Sequence, residues 1–482
     1  MRTSKWFSTV LISIFLCGIS AQAKVTADTK DALSQLTSIG DALDAAGQHP
    51  VHVLYVHGIN EVGAGDSALL RESICTRLKL CAPSDWKKAG VEFADRGEFA
   101  DNVQPPGLDY LGSPIWNNAE EWHAAAPFVV HWVVHLRRHP AVLVVDELNW
   151  WPVALAIKCR RIVANEANVA GSSRELLQVC SEQSAQDPDK SGRFFAWISP
   201  EQAKKLAAIR PHSVLINRSL KNGLVDWGLS DVLLSVGPMG GILRDGLRQL
   251  MAKSAAFDPN TASAEGSGAE ERYDWRGQLH GKNVMDQEFV GVTHSLGSYL
   301  YFNTLSVDSS KPGQTAAEIA RQAAEKDAVQ YIFERTSKVY FFANQLQMLE
   351  ITNLETAPQV AASTVKSRGL DAAPAISITP AENFRDLVHQ WQQMQADFQL
   401  ALHPQDETGR EKIQVVAWSD PSDVITWRVP RIGTVDVVNL YVKNAIRWFG
   451  LFESPNGAHG NYAKNIDVLR VMFATTTHGA GH

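Results

Sequence analysis

A chain of 482 residues with 45% hydrophobic, 20% charged and 9% aromatic content carries enough apolar material to bury a core of its own, which excludes a disordered chain. Its 45 Lys and Arg against 52 Asp and Glu leave a net charge of -7, with no long run of one sign to follow a phosphate backbone, so no nucleic-acid partner is expected. The length accommodates several domains of roughly 100–200 residues, or one elaborated α/β unit.

The first segment reads as a secretory signal. Arg2 and Lys5 precede an apolar run from Trp6 to Ile19, and Ala21, Gln22 and Ala23 supply a small-residue cleavage site. Cleavage near Ala23 is expected, giving a periplasmic or secreted protein with no stable membrane span. Cys17 leaves with that segment, and Cys75, Cys81, Cys159 and Cys180 remain, an even number suited to disulfides in an oxidising compartment. One helix holding both Cys75 and Cys81 would separate them by ~9 Å of rise, beyond the ~7 Å limit between bridged Cα atoms. That pairing requires the helix to end near Leu80, where Ala82, Pro83, Ser84 and Asp85 supply turn material. Cys159 with Cys180 rests on parity alone.

Residues 24–47 place Leu33, Leu36, Ile39 and Leu43 at helical spacing, which predicts a short docking helix. Val51–Val56 is β-branched and aromatic and breaks at His57-Gly58, and Ala68–Leu80 follows as a helix. Phe128–Leu136 and Ala141–Leu148 flank His139-Pro140 as a hairpin. Residues 150–285 hold helical pieces, one with Ile242, Leu243, Leu247, Leu250 and Met251 on a single face, separated by the polar loops 181–193 and 258–271. They read as an insertion, either a cap or a layer packed on the sheet. Trp150, Trp151 and Trp227 would furnish an apolar lid. Then come strand Glu288–Thr293, a helix from Ser295, strand Lys338–Ala343, a helix through Phe384, Leu387, Val388, Trp391 and Phe398, and strands Ile413–Trp418 and Val435–Val442. Strands alternating with helices predict an α/β fold with a mostly parallel sheet flanked by helices. Residues 24–149 and 286–482 would form its core and 150–285 the insertion.

The chemistry gathers where the apolar strand Phe289-Val290-Gly291-Val292-Thr293 runs through His294 into Ser295, followed by Leu296 and Gly297. A serine hydroxyl is a weak nucleophile unless a tight strand-to-helix turn projects it toward a base, and small neighbours let such a turn close. The same serine could equally cap an ordinary helix. Extended runs elsewhere end in reactive types: His57-Gly58-Ile59-Asn60 after Val56, Asp420 and Asp423 after Trp418, and His459 in the loop Ser454–Tyr462.

This stretch resembles the nucleophile elbow of the α/β-hydrolase superfamily of serine esterases and lipases, with Thr293 standing where the pattern GxSxG has its first glycine. A Cβ there is expected to crowd the turn. The resemblance implies an order of oxyanion loop, serine, acid and histidine, and the chain supplies each in turn. Leu54–Asn60 is similar to the HG loop, so Ile59 and Leu296 would give the oxyanion N–H groups. Asp423 matches the acid better than Asp420, which Pro421 commits to a turn. His459 matches the late histidine, with His478 and His482 in a terminal tail as competitors. The resemblance therefore implies an exported serine hydrolase cleaving small or lipid-like carboxylic esters through an acyl-enzyme on Ser295, with Asp423 and His459 completing the triad and no cofactor. Alternatives are an acyltransferase or thioesterase on the same triad, or a non-catalytic binding protein of the same fold.

Two further histidine features need placing. His131, His135 and His139 recur every fourth residue, a spacing that could hold zinc on a helix. Their valine-rich surroundings instead predict a strand, on which positions four apart lie ~13 Å from one another, so no metal is expected. His294, beside the serine, is expected to be a packing residue and not a second base.

Overall fold

The computed structural model describes residues 25–27, 36–59, 66–94, 119–160, 174–181, 196–208, 228–237, 239–259, 287–306, 316–346, 384–402, 413–423, 425–432, 435–445, 447–448, 452–453 and 455–474. The segment 1–23 expected to be a secretory signal, with Leu33, Asn60, Trp227, His478 and His482, lies outside them. Among the described residues the strands β1 (Thr26–Ala27), β2 (Val51–Val56), β3 (Lys87–Phe93), β4 (Phe128–His135), β5 (Val142–Asn149), β6 (Glu288–His294), β7 (Thr336–Phe342), β8 (Gln414–Ser419) and β9 (Asp436–Tyr441) form one mixed sheet. Its order is β1-β9-β8-β7-β6-β2-β5-β4-β3. From β9 across to β5 all neighbours are parallel, and antiparallel strands close both edges. The helices that cover it include α1 (Ile39–Ala45), α2 (Ala68–Thr76), α3 (Trp151–Lys158), α4 (Gly240–Ala256), α5 (Gly297–Asn303), α6 (Ala316–Glu334), α7 (Phe384–Leu402) and α8 (Ile466–Phe473).

Parallel strands buried on both faces need apolar residues at nearly every position, which is why they read as unbroken runs. Every residue of β2, β5, β7 and β8 is buried. Alternation along the strands divides their side chains between two cores. Val51, Val53 and Tyr55 join Val292, Tyr340 and Trp418 beneath α1, α2 and α8. Leu54, Val56, Phe289, Phe341 and Val415 face the opposite way, beneath α3, α4, α5, α6 and α7. Ile242, Leu243, Leu247, Leu250 and Met251 of α4 belong to that second core, and α4 rests on β2, β3, β4 and β5. No helix among the described residues is long and apolar enough to cross a membrane.

The helix after β2 stops at Thr76, short of Leu80, and Lys79 reverses the chain at φ 58°. This early stop brings the Cα atoms of Cys75 and Cys81 to 4.4 Å, and the two are bonded. Cys159, at the end of α3, is bonded to Cys180 across 5.6 Å.

A charged chain interrupts the core beneath α4. His52 Nδ1 lies 2.8 Å from Asp146 Oδ2, and His131 Nδ1 lies 2.6 Å from Asp146 Oδ1. His131 Nε2 is 3.4 Å from Glu92 Oε1, an ion-pair contact out of line for a hydrogen bond, and Lys253 Nζ is 3.8 Å from Glu92 Oε2. Phe257 stacks on the His131 ring at 4.0 Å. The histidines at four-residue spacing are thus spread along a strand: His131 turns to Asp146, and His139, beyond β4, pairs with Asp44 at 2.7 Å. Among the described residues no group of three or more His, Cys, Asp or Glu is placed to hold a metal.

Burial alone would lower the His131 pKa, but Asp146 and Glu92 outweigh it and carry it to about 9. A raised histidine pKa stabilises the fold fully below the unfolded value of about 6.5, and that stability is lost as pH rises through the folded value. The melting temperature of the wild type is expected to fall by a few degrees, in order of magnitude, between about pH 6 and about pH 10, and to fall less in His131→Gln. Parallel melting curves for the two proteins across that range would remove this linkage.

Candidate active site

β6 ends at His294, the chain turns at Ser295, and α5 begins at Gly297. Ser295 has φ 54°, in the left-handed region that costs a residue with a Cβ about 1–2 kcal/mol. The turn is held from both sides: Ser295 N–H donates to Phe342 O at 2.8 Å, and Ser298 N–H donates to Ser295 O at 3.1 Å. Glycines seat it against the end of β2. A Cβ on Gly297 would lie 2.4 Å from Val56 O and 2.6 Å from His57 O, and one on Gly58 would lie 2.7 Å from Ser295 Cβ. Neither position accepts a side chain. Thr293, expected to crowd the turn, is accommodated because its hydroxyl pairs with Ser298 Oγ at 2.8 Å on α5.

Ser295 is fully buried, yet its Oγ has no hydrogen-bond partner among the described residues. Other buried hydroxyls, those of Ser254 and Ser419 among them, also lack a partner among the described residues, so it is the place of Ser295 on the strand-to-helix turn that singles its hydroxyl out. His459 Nε2 is unpartnered in the same way. The residue stands not in a loop but in the short helix Pro455–Gly460, whose proline occupies the first turn where no N–H is missed. Its Nδ1 lies 2.9 Å from Asp423 Oδ2.

Asp423 also accepts from Ile425 N–H at 3.2 Å and from the Thr426 hydroxyl, and the Tyr462 hydroxyl donates to it at 3.5 Å. Burial by itself would raise its carboxyl, but the His459 imidazole and these donors hold it below the ordinary carboxylate value. Asp420 is employed differently. Its Oδ1 accepts the Ser422 N–H at 2.8 Å and its Oδ2 the Asn444 N–H at 2.6 Å, so both oxygens serve the main chain. Asn444 Nδ2 in turn donates to Ala458 O at 3.1 Å, which ties the acid turn to the histidine helix. Just beyond β7, Asn344 Nδ2 donates to Trp427 O at 3.1 Å and secures the far side of that turn.

The His459 helix is also seated on the serine turn itself. His294 Nε2 lies 2.8 Å from His459 O, and the two imidazole rings are 4.9 Å apart. Ser295 Oγ and His459 Nε2 do not bond one another in this arrangement. Such bonds are commonly long in a resting site and shorten when substrate arrives.

Across the turn, neither the Ile59 nor the Leu296 N–H has a partner among the described residues. His57 Nδ1 donates to Gly58 O at 2.9 Å, and in a trans peptide the next N–H, that of Ile59, points the opposite way. The His57 ring is stacked on Trp150 at 4.9 Å and 10°, and Trp150 Nε1 donates to His57 O at 3.2 Å. Burial takes the His57 pKa down to about 3, so the ring is neutral and stays a one-hydrogen donor.

The structure thus brings together Ile59, Ser295, Leu296, Asp423 and His459 around the ends of β2, β6 and β8, with Asp420 occupied elsewhere. Sequence reasoning did not anticipate Asn344, Asn444 and Tyr462 as supports. Their only signal is polarity just beyond a strand or beside His459. No protein-family model, curated protein or solved structure matches the chain. What the site does is therefore read from its geometry.

Proposed function

We propose that this chain is a serine hydrolase of α/β-hydrolase type that cleaves carboxylic esters through an acyl-enzyme on Ser295. The observation that supports this most is a histidine held by a carboxylate through Nδ1 on a helix that His294 ties to the serine turn, while its Nε2 and the buried Ser295 hydroxyl both lack a partner among the described residues. Proton transfer needs this arrangement: Asp423 fixes the tautomer that leaves Nε2 basic, and Nε2 takes the Ser295 proton as Oγ attacks the carbonyl carbon. The carbonyl oxygen becomes an oxyanion and receives the N–H groups of Ile59 and Leu296, each such donor being worth about 3 kcal/mol in the transition state. His459 then returns its proton to the departing alcohol, and water, deprotonated by the same Nε2, releases the acid.

We also propose that the protein works outside the cytoplasm: the apolar run Trp6–Ile19 ahead of Ala21, Gln22 and Ala23 suits export, and the two disulfides favour an oxidising compartment. The residues named supply nucleophile, base and charge stabilisation, so the reaction as written draws on no cofactor. Rapid quenching of a slowly deacylating aryl ester followed by peptide mass analysis tests the reading directly. One acyl adduct on the peptide carrying Ser295 is expected during turnover. Ester cleavage with the adduct on another residue, or cleavage by a protein whose Ser295 peptide stays unmodified, counts against it.

A further inference from the structure

His294 does more than fill space beside the nucleophile. Its Nε2 meets the His459 main-chain oxygen at 2.8 Å. A carbonyl oxygen can only accept, so that nitrogen carries the ring proton. Burial, and the neighbouring His459 after it, lower the His294 pKa to about 4, which leaves the ring neutral through the range in which an imidazole base works. Its other nitrogen looks toward the HG loop: a Cβ on Gly58 would fall 2.8 Å from Nδ1. One neutral ring therefore touches the main chain of the base on one side and packs on Gly58 on the other, while its own backbone immediately precedes Ser295.

We propose that His294 is a positioning residue for the reaction assigned above: as a neutral Nε2–H donor it holds the His459 main chain in register with the Ser295 turn. The inference rests on the serine-hydrolase reading. It follows from the way His459 is mounted. The short helix Pro455–Gly460 is tied to the acid turn through Asn444 Nδ2 to Ala458 O and through His459 Nδ1 to Asp423, both on the β8 and β9 side. His294 supplies the tie from β6, the strand that carries the nucleophile. Without it the imidazole keeps its carboxylate but is no longer indexed to Oγ. A neutral donor also suits the chemistry, because a cation 4.9 Å from the His459 ring would oppose the imidazolium that forms as Ser295 loses its proton.

Glutamine places an amide N–H near the position of an imidazole Nε2, whereas asparagine is equally polar but one methylene too short. The test compares His294→Gln and His294→Asn with the wild type, measuring kcat per fluorophosphonate-titrated site, KM, and melting temperature. Misplacement of about 1 Å costs up to ~10²-fold. His294→Asn is therefore expected to lose about 10- to 100-fold in kcat per site with KM nearly unchanged, and His294→Gln to recover most of it. A merely structural role would instead lower the melting temperature and the number of titratable sites, leaving turnover per site intact. Equal turnover per site in all three proteins overturns the role of His294, as does equal impairment of the two variants. A wild type that takes up no fluorophosphonate while folded overturns the reaction itself, and is thereby distinguished from failure of the positioning role alone.

Discussion

Replacing Ser295 by alanine is expected to abolish fluorophosphonate labelling and to lower ester turnover by about 10⁶-fold, the scale on which a triad nucleophile is lost. The variant should be well folded, for reasons the structure makes specific. Among the described residues Ser295 Oγ has no hydrogen-bond partner to forfeit. Alanine retains the Cβ, so the left-handed turn at φ 54° bears the same strain as before. The main-chain bonds from Ser295 N–H to Phe342 O and from Ser298 N–H to Ser295 O are untouched. The expected change in stability is therefore within about 0.5 kcal/mol, as for a site free of the usual destabilising mechanisms. Residual activity of about 10³- to 10⁴-fold over water would reflect the oxyanion donors and binding alone. Labelling that persists at the wild-type rate in a folded Ser295→Ala protein would place the nucleophile elsewhere.

The parts of this fold that can be read from sequence are those where one physical demand dominates. β2, β6, β7, β8 and the β4–β5 hairpin are buried almost throughout, and the apolar runs within them follow from that burial, interrupted by groups such as His52, His131 and Asp146 that pair with one another. The edge strand β3 escapes notice because Lys87, Lys88, Gly90 and Glu92 are chosen to discourage further pairing and not to fill a core. α3 is buried on every side, so it lacks the apolar stripe that identifies a surface helix. Within the site, the contrast between Asp420 and Asp423 is visible locally, because Pro421 forces a turn directly after the first of them. The helix around His459 is not, since Pro455, Gly457 and Gly460 in one short segment argue against helix. The ties made by His294 and Asn344 each depend on one main-chain oxygen far away along the chain, that of Asn444 on one 14 residues on, and no periodic pattern encodes such contacts.

Asp423→Asn is expected to lower kcat by about 10⁴-fold while leaving KM close to wild type, the loss found when a triad carboxylate becomes an amide. The carboxylate oxygen that faces His459 Nδ1 at 2.9 Å also takes the Thr426 hydroxyl, and Ile425 N–H occupies the other oxygen. An amide in this setting can turn its NH₂ toward Nδ1, which drives the ring proton to Nε2 and leaves no lone pair to accept from Ser295. Asp420→Asn provides the contrast within the same turn. Asp420 accepts two main-chain N–H groups, from Ser422 and Asn444, and charge-assisted bonds of this kind contribute about 1.5–3 kcal/mol each. That variant should melt earlier, yet its turnover per titrated active site should stay within about tenfold of wild type, since its carboxylate does not touch the imidazole. Measuring both variants by active-site titration and thermal unfolding separates the two effects. If Asp420→Asn loses the larger factor per site and Asp423→Asn the larger share of stability, the acid of the triad is Asp420, and His459 must swing away from Asp423 before it can act as the base.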